Sequence, residues 1–176
     1  MTGAALEATA SGLTSVLERL AHEPELAGRL ADAGAADPLF GPTVDESLRL
    51  RPVAMAAIRR LTRPVSLAGH DLPAGVVLMA PSLLLHRDPE QFEAPDTFRP
   101  ARFTSGVRGP FFPYGGGERA CIGRHLAQAE IHNAVPAVLR TRRLRPLARA
   151  PERLVERATI LAPCRGALVI VTQRDE

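Results

Sequence analysis

The segment from His86 to Gly123 has neither a helical nor a strand period. "HRDPEQFEAPDTFRPARF" is proline-rich and irregular, with room for one helical turn after Asp88, and "PYGGGERACIG" closes the segment on three glycines and a cysteine. An irregular stretch of this length inside a compact domain is uncommon unless it serves a function. The rest of the chain must therefore supply regular elements on both sides and side chains that hold this segment in place.

The flanks supply those elements. Leu6, Leu13, Val16, Leu17 and Leu20 fall at helical spacing and predict a helix over Ala4–Leu20, without a start signal ahead of it. "EPELAGRLADAG" predicts a second helix, with Pro24 in its first turn and Gly34 as its stop. "PTVDESLRL" predicts a third, closed by Pro52. Short strand-like runs follow ("AAIRRL", "VSLAGHDL", "GVVLMAP"), punctuated by Pro64, Gly69, Pro73 and Gly75, and they predict a small antiparallel sheet. A last helix is expected from about Ile122 to Arg140, interrupted by Pro136, which removes a backbone hydrogen bond at about 3 kcal/mol if interior. "LRTRRLRPLARA" is expected to be a solvated helix end, its arginines favourable at the C-terminal dipole. The tail, "RLVERATILAPCRGALVIVTQ", is expected to form two strands joined by a turn around Pro163–Gly166. The fold class is mainly α with small antiparallel β-sheets.

Composition removes several function classes. The 176 residues carry 22 basic and 19 acidic side chains, a net charge of +3, and every cation is arginine. With charges interleaved and aromatics at 4%, no stacking or groove-reading motif appears, so no nucleic-acid partner is expected. No apolar run is long enough to span a membrane, and no signal peptide is visible. Two cysteines do not make a disulfide framework, so a reducing, cytoplasmic setting is expected.

Cys121 follows three glycines and precedes a helix. A helix N-terminus favours the thiolate, the form that binds metal. Gly115, Gly116 and Gly117 let the backbone turn tightly, approach a flat ligand and offer N–H groups to the sulfur; Gly123 permits an equally close approach. Arg119 can pair with a carboxylate. The plain alternative is a small apolar side chain in a turn. A zinc site is not supported: Cys164 stands alone, and His125 and His132 are seven residues apart.

Tyr114-Gly-Gly-Gly117-Glu-Arg119-Ala-Cys121-Ile-Gly123 resembles the haem-ligand signature of the cytochrome P450 superfamily, F-x-x-G-x-R-x-C-x-G, with tyrosine at the first position. The resemblance implies haem b with Cys121 as the proximal thiolate, Arg119 on a propionate, Gly115, Gly117 and Gly123 in the loop, and Tyr114 beside the sulfur. "ESLR" (Glu46, Arg49) resembles the family's E-x-x-R, and "PARF" supplies Arg102, similar to the arginine completing a Glu-Arg-Arg network. The alternative for Glu46 and Arg49 is an ordinary helix pair on the surface. Arg59 falls where many members bind a second propionate, although Arg60 could serve instead.

"AALEATAS" is similar to the family's oxygen-activation pattern in the central helix, with Glu7 at the acid position and Thr9 at the last. Ala5 replaces the usual glycine, and Ala8 replaces the threonine that usually delivers protons. The match spans the C-terminal portion of the fold over residues 1–176: end of the central helix, E-x-x-R helix, small sheet, meander, cysteine loop, last helix and C-terminal hairpin. It implies a haem-thiolate monooxygenase that inserts one oxygen atom from dioxygen into a small organic substrate, with a ferredoxin or flavoprotein as electron donor. The chain is expected to be N-terminally cut, and the alternative is a non-catalytic truncated remnant that binds no haem.

Overall fold

The computed structural model describes residues 2–106 and 109–174, with side chains from Leu6 onward, so the side chain of Ala5 lies outside the described residues. Helices α1 (Thr2–Ala21), α2 (Pro24–Ala33), α3 (Phe40–Leu50), the single turn α4 (Ser82–Leu85) and α5 (Arg124–Thr141) carry the core. The strands are β1 (Ala57–Arg60), β2 (Val65–Leu67), β3 (His70–Leu72), β4 (Val77–Ala80), β5 (Arg142–Pro146), β6 (Leu154–Arg157), β7 (Ile160–Pro163) and β8 (Val169–Gln173). They form two-stranded antiparallel pairs, β1 with β4, β2 with β3, β5 with β8 and β6 with β7. The mainly helical class with small sheets is as the sequence predicts.

The apolar stripes explain the packing. Val16 and Leu20 of α1, Phe40, Val44 and Leu48 of α3, and Ile131, Val135 and Leu139 of α5 are buried in one cluster. On α3 these residues recur every fourth position, so one face is apolar and the other is free for Glu46 and Arg49. The helix starts at Phe40, two residues ahead of the expected Pro42. The Asp37 side chain accepts the Leu39 N–H at 2.8 Å, and a proline in the first turn loses no intrahelical bond. Helix α5 runs through Pro136, which is buried.

Two expectations are corrected. Arg142–Pro146 is not a helix end. It is strand β5, paired with β8 from Arg142 opposite Gln173 to Pro146 opposite Val169. Leu144 is its buried side chain, and the β-branched run Val169–Val171 needs a partner for its backbone. The tail likewise does not fold on the Pro163–Gly166 turn. The Gly166 N–H does bond the Pro163 carbonyl at 3.1 Å, but the hairpin closes earlier, at Ala158 (φ 53°), where β6 turns back into β7. The nested β2–β3 hairpin turns on Ala68 and Gly69, both at positive φ, the geometry that matches strand twist.

Buried polar contacts tie the helices to these strands. The Ser11 hydroxyl donates to the Leu161 carbonyl at 2.6 Å, and the Leu161 N–H donates to Val53 at 2.7 Å. Glu18 on α1, 3% exposed, pairs with Arg51 and accepts the Glu152 N–H at 2.7 Å, while Arg51 also donates to the Glu152 carbonyl. Glu152 in turn accepts N–H groups from Arg165 (2.7 Å) and Leu168 (2.9 Å), fixing the β7–β8 connection. Removing one member strands a buried charge. Glu18→Ala is expected to lower stability by about 3–5 kcal/mol in urea denaturation; a loss below about 1 kcal/mol, the range of an exposed pair, would contradict this role.

Candidate functional site

The cysteine turn is closed by its own backbone. The Gly115 N–H donates to Phe112 at 3.0 Å, Ala120 to Gly117 at 3.0 Å, and Cys121 to Tyr114 at 2.8 Å. Gly115 (φ 69°) and Gly117 (φ 66°) occupy left-handed backbone that side chains disfavour, which is why the turn needs glycine there. Helix α5 begins at Arg124, whose N–H bonds the Cys121 carbonyl at 3.2 Å. Among the described residues no N–H bonds the Cys121 sulfur, contrary to expectation; the Gly115 amide is engaged with the Phe112 carbonyl instead. The thiol is exposed.

Beneath the irregular segment lies a buried ionic cluster. Arg49 donates to Glu46 through Nε at 2.8 Å and Nη2 at 2.9 Å, and neither side chain is exposed. Arg102 reaches Glu46 through Nε at 3.0 Å, and the Arg99 N–H donates to the same oxygen at 2.8 Å. The remaining donors hold the segment itself. Arg49 Nη1 donates to the His86 carbonyl at 2.6 Å, and Arg102 donates to the carbonyls of Glu93 at 3.0 Å and Thr97 at 3.2 Å. Phe92 packs under the Arg49 guanidinium, 5.1 Å from ring centroid to Cζ. The surface-pair alternative fails here, since Glu46 and Arg49 are fully buried.

Sequence reasoning missed His86. Its ring is fully buried, Nε2 accepts the Phe112 N–H at 3.1 Å, and the rings of Phe111 and Phe112 lie at centroid distances of 5.3 and 5.1 Å. A lone histidine opening an irregular stretch carried no spacing signal; its ring partners, Phe111 and Phe112, come from far along that stretch.

The other predicted residues stand apart. Tyr114 is half-buried, and burial first, then the Asp45 carboxylate, pushes its phenol upward, while Arg124 lies 5.7 Å from its ring centroid. Arg119 ends a 3-10 turn (Gly117–Arg119), exposed and in no ion pair among the described residues. Arg59, opposite Leu78 in the β1–β4 pair, donates to the Ile58 carbonyl, and Arg60 donates to Gly75. Glu7 is exposed and Thr9 half-buried on α1. Among the described residues no hydrogen bond joins Glu7, Thr9 or Arg59 to the cysteine turn.

These residues fit haem. One exposed sulfur at the turn suits a metal that would bring its other donors with it, as haem iron does. A Cβ at Gly116 would meet nothing within 4 Å, and at Gly123 (φ −84°) only the sulfur at 3.8 Å, so packing within the chain demands glycine at neither position. Ile122 is 97% exposed beside the sulfur, and Leu126, in the first turn of α5, is 60% exposed. Bare backbone and uncovered apolar side chains next to a thiol suit a flat apolar macrocycle.

Burial lowers the His86 pKa from 6.5 to about 4, with the Arg49 and Arg87 charges adding to the shift and the nearby Arg49 backbone opposing it. The unfolded chain therefore binds this proton first as the pH falls. The contribution of neutral His86 is complete above about pH 6.5 and is lost between 6.5 and 4, about 3 kcal/mol in all. Urea denaturation at pH 7 and pH 4.5 should show wild type losing about 2–3 kcal/mol more than His86→Phe; equal losses would contradict the assignment.

The chain is similar to cytochrome P450 135B1 of Mycobacterium tuberculosis, 35% identical over 175 residues that cover 94% of this chain and 37% of that protein. It is 30% identical to cytochrome P450 3A1 of Rattus norvegicus, over 98% of this chain and 38% of the relative. A solved zebra fish cytochrome P450 with progesterone superposes at a TM-score of 0.85 and 28% identity, covering 98% of this chain and 43% of that one. The chain thus spans well under half the length of these relatives. The cytochrome P450 family profile matches residues 38–170, a span that holds the Glu46–Arg49–Arg102 cluster and the Cys121 turn, and the chain belongs to the cytochrome P450 family.

Proposed function

We propose that this chain forms the haem-thiolate part of a monooxygenase, with Cys121 as the axial ligand of haem b. The observation that carries the reading is an exposed thiol in a glycine turn anchored by a fully buried carboxylate–guanidinium cluster. Bound there, haem supplies dioxygen activation and insertion of one oxygen atom into a small organic substrate, with electrons from a ferredoxin or flavoprotein. Cys121 donates the sulfur. Arg119, in no ion pair among the described residues, stands next to the turn and takes one propionate; Arg59 takes the other. Gly115 and Gly117 set the turn, and Gly116 and Gly123 leave room for the ring. Glu46, Arg49 and Arg102 hold the meander in place, and Tyr114 presents its carbonyl to the Cys121 N–H.

Glu7 and Thr9 are proposed to line the oxygen side from α1. Alanine at position 8 has no hydroxyl, so proton delivery falls to water or to a substrate hydroxyl. No helix among the described residues is long and apolar enough to cross a membrane. Two free cysteines suit a reducing, cytoplasmic setting.

Purified chain supplied with haem should turn red-brown, and its reduced, CO-bound form should absorb at the red-shifted position characteristic of thiolate ligation. Cys121→Ala should abolish that band and Cys164→Ala should keep it, since Cys164 is half-buried with its sulfur 3.9 Å from a Glu152 oxygen. Identical behaviour of the two variants would overturn the assignment. Glu46→Ala should lower haem retention or soluble yield rather than slow turnover selectively; haem content and stability like wild type would count against the anchoring role. Colourless wild-type protein after haem addition would favour a chain that binds no haem.

A further inference from the structure

We infer that His86, held as the neutral tautomer protonated on Nδ1, is the positioning residue that couples the Glu46–Arg49 cluster to the cysteine turn. Its functional readout rests on the proposal that Cys121 is the axial thiolate; its structural readout does not. The contacts form a continuous relay. Arg49, locked on Glu46, donates to the His86 carbonyl at 2.6 Å. The His86 ring accepts the Phe112 N–H at 3.1 Å through Nε2. The Phe112 carbonyl accepts the Gly115 N–H at 3.0 Å, and the carbonyl of the adjacent Tyr114 accepts the Cys121 N–H at 2.8 Å. One residue therefore serves the cluster with its backbone and the turn with its side chain.

The tautomer follows from donor and acceptor roles. A backbone N–H can only donate, so Nε2 must be unprotonated and the neutral ring carries its proton on Nδ1. Nδ1 is buried without a partner among the described residues. A buried N–H left unbonded is unfavourable, and the one hydrogen bond the ring makes among the described residues is the one it accepts, so histidine is accounted for by its acceptor. Packing fixes the ring plane. Phe111 is tilted against it at 5.3 Å, Phe112 meets it edge-on at 5.1 Å, and Phe103 backs Phe111 at 4.8 Å. Protonation on Nε2 or loss of the acceptor would leave the part-buried Phe112 N–H without this partner, just ahead of the glycines that aim the sulfur.

Two variants separate coupling from packing. His86→Phe keeps an aromatic ring without an acceptor; His86→Gln offers an amide oxygen at a reach similar to that of Nε2. In the full chain, exchange of the Phe112 amide should speed by about tenfold or more in His86→Phe, the effect of losing one hydrogen bond, and stay within about twofold of wild type in His86→Gln. With haem added, the thiolate-type CO band should be diminished in His86→Phe and restored in His86→Gln. Wild-type exchange and an undiminished band in His86→Phe, or no rescue by His86→Gln, would overturn the inference. Should His86→Phe fail to fold, the ring nitrogen shifts of 15N-histidine-labelled wild type decide: an unprotonated Nε2 supports the relay and a protonated Nε2 refutes it. A wild-type chain lacking the thiolate band would sink the haem-thiolate reading, while the tautomer and the Phe112 amide would still judge His86.

Discussion

The Glu46 carboxylate is the point on which the irregular half of the chain depends. It accepts from both Nε and Nη2 of Arg49, from Nε of Arg102 and from the Arg99 backbone, with its side chain wholly removed from water. A buried carboxylate is tolerable only when its oxygens are filled in this way, and a half-filled cluster is worse than an apolar one. Once filled, it frees the remaining guanidinium donors for carbonyls that no helix or sheet satisfies, those of His86, Glu93 and Thr97. These carbonyls of the irregular segment are thus satisfied by the two guanidiniums that Glu46 holds, Arg49 from α3 and Arg102 from the segment itself.

That arrangement requires α3 to be rigid on its other side. Phe40, Val44 and Leu48 lie in the same core as Val16, Leu20, Ile131 and Val135, so α1 and α5 press on one face while the ionic cluster occupies the other. The second buried cluster, Glu18 with Arg51 and the Glu152 backbone, ties the end of α3 to α1 and to the C-terminal strands. Helix α5 receives the cysteine turn at its N-terminus and shares the core, so the position of the thiol is referred to the helices from two directions: through α5 directly, and through Arg49, His86 and Phe112 from α3.

Much of this was legible in the residues. The glycine–arginine–cysteine spacing located the turn, and the i, i+3 spacing of Glu46 and Arg49 put both on one helix face. Whether that pair was buried was not legible, because burial depends on Phe92, Arg99 and Arg102, all distant in sequence. Strand β5 was hidden by its arginines: only Leu144 points inward, and the strand exists because β8 pairs with it across a long connection. His86 was hidden for the same reason, since its partners Arg49 and Phe112 lie 37 and 26 residues away. Local signals mark elements; long-range polar pairing decides which of them meet.

On the proposed function, the buried Glu46 cluster holds the Cys121 sulfur where a haem iron can take it. Iron K-edge X-ray absorption, on wild type and Glu46→Gln carrying equal haem, tests this most directly. The account predicts a sulfur in the first coordination shell of wild type and a diminished or absent sulfur contribution in the variant. An undiminished sulfur shell in Glu46→Gln, or none in wild type, would contradict it.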